Sequence, residues 1–313
     1  MTALKTITDE AYDRRKFIGS SNIAGILGLS KWTTPYDVYI AKVSEVREEM
    51  DPAKKKFLER RKRWEPVVVQ MLREELDANV VATNLRYVDG EFPFFASEID
   101  FEAEEDGEIM NGEIKTVTPR AWGEKFGWGE PGSGDIPIEY EAQVQFGLGI
   151  TGRKRTIVAA MVGLDDMVFY RIERDDELIA DLRARAAKFW NEHVLAGVAP
   201  PATTIGDLHK IYKTATPGLV VTADSALGST ALKLRGVRSQ IASWELQAEG
   251  LEFDVKLGMA GAEELHVDGR KIFTWKDQKW SMLDQTTLKE KEKKIHKKYT
   301  LSGVRRVFKA LTS

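Results

Sequence analysis

No cysteine occurs in this 313-residue sequence. Whatever fold it adopts must therefore be held by packed apolar side chains and hydrogen bonds, without disulfides or thiolate-bound metals. The same absence excludes thiol nucleophiles and iron–sulfur clusters. Four histidines stand far apart, at positions 193, 209, 266 and 296, which argues against a zinc or haem site. Any bound metal is expected to be a hard cation on oxygen ligands.

With 42% apolar and 30% charged residues, the composition is that of an ordinary soluble protein. The formal net charge of −3 does not announce a polyanion binder, although a basic channel fits easily inside an acidic total. The N-terminal segment lacks the apolar stretch of a secretory signal. The longest apolar run, Ile157–Leu164, is too short to span a bilayer. A soluble cytoplasmic protein without a membrane partner is the expectation.

The segment GVAPPATTIGDL (197–208) is the clearest boundary signal, and it divides the chain into a core, 1–204, and an extension, 205–313. In the core, helical spacing appears at Ser21–Leu29 and at Lys54–Leu76, where Pro66 is expected to start a new segment or kink the helix. Short β-like stretches follow at Val80–Thr83, Phe92–Ala96 and Gly112–Val117, then a helix at Tyr140–Leu148. Thr156–Val162 and Met167–Ile172 read as a hairpin. Asp175 is placed to cap a helix carrying Leu178 to Val194. This order predicts a mixed sheet flanked by helices. In the extension, Ala223–Leu246 reads as a long helix and Asp268-Gly269 as a hairpin turn. From Leu288 onward nine Lys or Arg stand against two Glu; this tail is either a solvated end or a polyanion contact.

Chemistry concentrates in Phe94-Phe-Ala-Ser-Glu-Ile-Asp100 and Asn111-Gly-Glu113-Ile-Lys115. Side chains alternate along a strand, so Glu113 and Lys115 share a face, with Asp100 expected to end the strand before them. Asp100, Glu113 and the carbonyl of Ile114 offer oxygens to one hard cation, and Lys115 can orient or deprotonate a water on it. That is the equipment of phosphodiester hydrolysis. Alone, E-x-K is common on surface strands as a weak ion pair. Two further elements sharpen it: Glu65, in Trp64-Glu65-Pro66 on an Arg/Lys-rich helix, and Gln143, in Tyr140-Glu-Ala-Gln143-Val-Gln145 on a helix expected to cover the same face.

With these residues assembled, the stretch from Arg14 to Pro200 resembles the lambda-exonuclease/YqaJ-type viral recombinase family of PD-(D/E)XK nucleases. The likeness rests on Ile18-Gly-Ser-Ser-Asn-Ile-Ala-Gly-Ile-Leu-Gly28, Trp64-Glu65-Pro66, Asp100 with Glu113-x-Lys115, Ile136-Pro-Ile-Glu-Tyr140-x-x-Gln143-Val-Gln145, and Phe189-Trp190 with Gly197 and Pro200. It implies a mixed α/β fold: a restriction-endonuclease-like core with a mixed central sheet between helices, plus a C-terminal helical and β-hairpin appendage. It also implies a Mg²⁺-dependent 5′→3′ exonuclease, phage or prophage encoded. Such an enzyme uses two Mg²⁺ ions, with Mn²⁺ a substitute, on linear double-stranded DNA ends and leaves a 3′ strand for a single-strand annealing protein. A ring-shaped homo-oligomeric trimer is implied by family alone.

By motif, Asp100, Glu113 and Glu65 match the metal-binding acids, Lys115 the catalytic lysine and Gln143 the motif glutamine. Ser21 and Arg14, with Arg15 adjacent, match the pocket for the 5′ phosphate. Many members read Ser-Pro-Asp where this chain has Ser97, Glu98 and Ile99 before Asp100, so a phosphate contact from Ser97 rests on a looser match. Trp128, in the Gly-rich stretch Trp122–Ile136, is read as a loop residue that wedges strands apart. Trp32, with Pro35 and Tyr36, is read as packing in the core or a loop, the alternative being stacking on frayed bases. The alternatives are an endonuclease of the same fold, which would cut closed circles, and a non-catalytic DNA-binding module.

Overall fold

A seven-stranded mixed sheet positions everything that follows. The computed structural model describes residues 5–8, 13–44, 51–76, 78–163 and 166–277. The strands are β1 (Lys5–Thr6), β2 (Ile18–Gly19), β3 (Asn79–Val88), β4 (Phe95–Glu105), β5 (Glu108–Val117), β6 (Arg155–Val162) and β7 (Asp166–Glu173), in the order β1-β3-β4-β5-β6-β7 with β2 beside β4. Pairing is antiparallel except for β2 with β4 and β5 with β6.

Around the sheet lie helices α1 (Ile23–Ile26), α2 (Pro35–Val43), α3 (Pro52–Lys62), α4 (Glu65–Glu75), α5 (Ile138–Thr151) and α6 (Asp176–Phe189). One apolar layer joins α4 to the sheet through Val68, Leu72, Phe101 and Ile157. Another joins α1, α5 and α6 through Ile23, Phe146 and Leu182. Each such fully buried side chain contributes about 1.5–3 kcal/mol. Asp175 caps α6 by accepting the Leu178 N–H at 2.9 Å, as its sequence position implies. Gly152, with φ +68°, ends α5 in the left-handed conformation that glycine adopts without strain.

The chain divides into two compact units, residues 1–208 and 209–313. Between them in sequence runs α7 (Ile205–Ile211), and the second unit contains α8 (Ser225–Met259) and the hairpin of β8 (Glu264–Val267) and β9 (Arg270–Thr274). The turn at Asp268-Gly269 forms as expected, with both residues at positive φ. The basic tail from Leu288 lies outside the described residues. Among the described residues no helix is long and apolar enough to cross a membrane.

Of the two outcomes expected at Pro66, the structure shows a new segment and not a kink: the run from Lys54 to Leu76 is two helices, and Pro66 sits in the first turn of the second, where its missing N–H costs nothing. Two expectations are corrected. Asp100 lies inside β4 and does not end it. The long helix continues past Leu246 to Met259.

Candidate active site

The site opens where β4 and β5 part. Their register runs from Glu105↔Glu108 to Phe101↔Gly112 and stops there. The Phe101 ring lies across Gly112 so closely that a Cβ at 112 would stand 2.4 Å from it. Beyond this point β5 continues beside β6 alone, pairing Glu113↔Val158 and Lys115↔Ala160. The edge of β5 that faced β4 is therefore released. Asp100 crosses the gap, its Oδ2 accepting the Ile114 N–H at 2.8 Å. In an extended strand the N–H and C=O of one residue point to the same side, so the Ile114 carbonyl opens into the same gap.

On the α5 face of β5 three side chains form a closed triangle. Lys115 Nζ donates to Glu113 Oε1 at 2.6 Å and to Gln143 Oε1 at 2.9 Å, and Gln143 Nε2 donates to Glu113 Oε1 at 2.8 Å. The Lys115 ammonium also stands 4.5 Å from the centre of the Tyr140 ring. Tyr140 and Gln143 are three residues apart on α5, hence on one helix face. The Glu113 and Lys115 side chains are only 13% and 14% exposed, so this is not the solvated surface pair that E-x-K usually makes. Gln145, two residues along, faces elsewhere: it bonds the Glu173 carbonyl and the Asp175 N–H and is structural.

The electrostatics mark an excess of buried negative charge. Burial, then the neighbouring Glu113 and to a lesser degree Glu65, push the Asp100 carboxyl up to about 8, against the Ile114 N–H and Lys115 that favour its ionised form. Glu65, in the first turn of α4, is also raised, by burial and by Glu113 and Glu98, against Lys62. Glu65 and Asp100 line one small cleft with Lys62, Arg86 and Glu98. Carboxylates crowded in this way suit a hard divalent cation, whose charge relieves their repulsion. Among the described residues no three acidic or histidine side chains converge into a ready-made cage. An ion here would be held by Asp100, Glu113 and the Ile114 carbonyl, with Glu65 across the cleft.

The residues expected to hold the phosphate stand in different surroundings. Arg14 lies in a turn, Arg14–Lys16, and its guanidinium reaches Glu98 at 2.5 Å. Burial raises Glu98, but Arg14 and Arg86 together outweigh it and hold the carboxyl below the usual range. Ser21 is exposed in the next turn, Ser20–Asn22. The two turns are tied by Lys42 of α2, whose ammonium donates to the Arg14 carbonyl at 2.7 Å and to Asn22 Oδ1 at 2.9 Å. Burial, with Arg14 adding repulsion, lowers Lys42 to about 8. Arg15 is instead spent on its neighbour Asp13, which it lowers to about 2.

Two expectations fail here. Ser97 is 1% exposed, its hydroxyl hydrogen-bonded to that of Ser20 at 2.6 Å, so it is buried structure and presents nothing to a phosphate. Trp128 is 3% exposed, stacked on Trp122 at 4.9 Å and packed against Tyr140 and Tyr170; a ring so enclosed cannot wedge DNA strands. Trp32 is 72% exposed, against the expectation that it packs. It lines a cavity with Lys31, Phe57, Arg61, Thr116 and Tyr140 at the open end of β5. Lys42, Arg86 and Glu98 were not legible as site residues, because their partners lie far away in sequence. Tyr140 was legible in principle, three residues before Gln143.

Comparison with known proteins agrees with the resemblance read from the sequence. Residues 11–154 match the YqaJ-like viral recombinase domain. The chain is 26% identical over 295 residues to the uncharacterized protein YqaJ of Bacillus subtilis (strain 168), covering 91% of this chain and 88% of that protein. Among solved structures it is similar to the alkaline exonuclease LHK-Exo from Laribacter hongkongensis, at 19% identity and a TM-score of 0.44, over 64% of this chain and 96% of that one. The same enzyme in complex with dAMP gives an equal TM-score of 0.44.

Proposed function

Taking as premise that residues 11–154 match the YqaJ-like viral recombinase domain, we propose that the chain is a Mg²⁺-dependent 5′→3′ exonuclease. It would degrade one strand of linear double-stranded DNA from a 5′-phosphorylated end and leave a 3′ strand for an annealing protein. The observation that carries this reading is the Glu113–Lys115–Gln143 triangle on β5 and α5, set beside an Asp100 that bonds the backbone between Glu113 and Lys115.

When bound, Mg²⁺ supplies a lowered water pKa and neutralises charge on the phosphate oxygens; Mn²⁺ serves in its place. The remaining work belongs to the chain. An ammonium has three N–H donors, and Lys115 commits two, to Glu113 and Gln143. It is thereby fixed in place, ready to steady the attacking water or the charge that builds on the scissile phosphate. Gln143 orients both neighbours, accepting from Lys115 and donating to Glu113. The Tyr140 face keeps the ammonium partly desolvated, which strengthens its pull on an anion.

End selection falls to Arg14 and Ser21. A terminal phosphate is doubly charged, unlike any phosphate within the strand, and a guanidinium binds it strongly. Arg14 already holds an anionic oxygen, that of Glu98, so the phosphate enters by exchanging with that carboxylate. Lys42 holds the two turns at the spacing this requires. DNA ends are the substrate, and a homo-oligomer, the ring-shaped trimer implied by the family, is the working form.

The test is digestion of linear duplex labelled at either end, with 5′-phosphate or 5′-hydroxyl termini, in Mg²⁺ and in EDTA, beside a closed circle. The proposal expects Mg²⁺-dependent release of mononucleotides from phosphorylated 5′ ends only. Cutting of the closed circle, or indifference to the end group, would replace it with an endonuclease.

A further inference from the structure

The second unit contains a feature that the nuclease reading does not use. Helix α8 runs 35 residues, about 52 Å at 1.5 Å per residue, and Met259 is its one buried residue. Four glycines, at 228, 236, 250 and 258, lie within it, each costing about 1 kcal/mol relative to alanine. A lone helix of that composition gains little to offset the cost.

Its apolar residues follow a strict three-four repeat. Leu234, Val237, Ile241, Trp244, Ala248 and Leu251 occupy alternating seam positions of consecutive heptads; the row extends to Val255 and, past a polar Thr230, to Leu227. This is the seam of a coiled coil, and its rings and branches stand in solvent: Trp244 is 64% and Leu251 63% exposed. A sparser outer row, Leu232, Leu246 and Phe253, is interrupted by Ser239.

The charges flanking the seam choose the occupant. In the first half they are Lys233 and Arg238; in the second they are Glu245, Glu252 and Asp254. A parallel pairing of two copies sets Lys233 against Arg238 of the other copy, like against like. An antiparallel pairing that layers Leu234 on the other copy's Leu251, Val237 on its Ala248 and Ile241 on its Trp244 does the opposite. It brings Lys233 beside Asp254 and Arg238 beside Glu245, and it sets a small residue opposite a branched one at the Val237 layer. One register satisfies both the seam and the charges.

We propose that α8 is a self-association surface, pairing with α8 of a second copy of this chain as an antiparallel two-stranded coiled coil. The pairing is two-fold and closed, each copy offering the same seam. It adds a contact between copies that does not involve the nuclease unit.

The absence of native cysteines makes the test clean. Full-length chains carrying Leu234→Cys and Leu251→Cys, with different affinity tags, are expressed separately and together, then oxidised. The proposal expects a covalent dimer bearing both tags from the co-expressed pair and none from either variant alone. Dimers from each variant alone would mean parallel pairing and overturn the proposal. So would failure of every combination to cross-link, as happens if another segment of the same chain covers the seam. The pair Leu232→Cys with Phe253→Cys, on the outer row, should remain monomeric on the denaturing gel, and efficient cross-linking there would equally overturn the assignment.

Discussion

Asp100 Oδ2 accepts the main-chain N–H of Ile114 at 2.8 Å, so the aspartate replaces the ladder bond that β4 stops offering to β5 beyond Phe101 and Gly112. The carboxylate thereby faces the strand segment whose neighbours are Glu113 and Lys115. The parting of the two strands makes the site.

Lys115→Ala should reduce DNA hydrolysis by on the order of 10²–10⁴, the usual range for a group that moves or steadies a proton. Lys115→Arg should not restore it, because a planar guanidinium does not fit between Glu113 and Gln143. Far-UV circular dichroism of both variants should match the wild type. Hydrolysis within threefold of wild type in Lys115→Ala would remove the lysine from the mechanism.

The raised Asp100 carboxyl carries a pH signature. With its folded-state value near 8 and the unfolded value near the ordinary 3.8, the folded protein binds the extra proton between those limits. The contribution of Asp100 to the stability of the metal-free protein should be greatest at low pH and be lost as pH rises through about 8. Mg²⁺ should raise Tm more at pH 8 than at pH 5.5, since the cation favours the ionised carboxylate. Asp100→Asn should flatten both trends in a thermal-shift titration; an unchanged Mg²⁺ response in that variant would contradict the placement of the ion.

Arg14→Ala should reduce the preference for phosphorylated over hydroxyl 5′ ends about tenfold, the loss of one charge-assisted contact. Arg15→Ala should leave it unchanged, since that guanidinium is turned onto Asp13, two residues before it, and not onto the Glu98 that lines the cleft with Asp100. Competition between the two substrates in one reaction measures the ratio. Equal effects of the two substitutions would dissolve the distinction drawn between them.

Gly112→Ala should destabilise the protein by about 1–3 kcal/mol, as overpacking does, because its methyl meets the Phe101 ring at 2.4 Å. Urea unfolding reports the loss. Adding Phe101→Leu should recover part of it, and the absence of any recovery would place the cost elsewhere.

The two indoles should behave oppositely. Trp128→Ala removes a buried ring and should cost about 3–5 kcal/mol. Trp32→Ala should leave the urea midpoint unchanged and slow digestion of duplex relative to single-stranded DNA.

Much of the local structure was legible in the residues themselves. The period-two spacing of Glu113 and Lys115 put both on one face. Asp175 announced the start of α6, and Asp268-Gly269 a hairpin. Pro66 leaves two outcomes open, because it breaks a helix interior but opens a helix start equally well; Asp100 reads as a strand end, whereas β4 continues to Glu105. Trp128 is buried against expectation, since a glycine-rich flank reads as a loop whether or not its aromatic is enclosed, and of the two readings of Trp32 its exposure disfavours packing.

By itself the sequence determined the menu of chemistry. It supplied oxygen ligands without thiols, an acid and an amine on one strand face, and a helix whose seam repeats at coiled-coil spacing. Only the tertiary structure decided which groups meet: Asp100 with the Ile114 backbone, Gln143 and not Gln145 with Lys115, and Arg14 and not Arg15 with Glu98. Periodicity reports the face on which a side chain stands, and that is a property of a few neighbouring residues. What lies opposite that face depends on the packing of segments tens of residues apart, which leaves no trace in either segment alone.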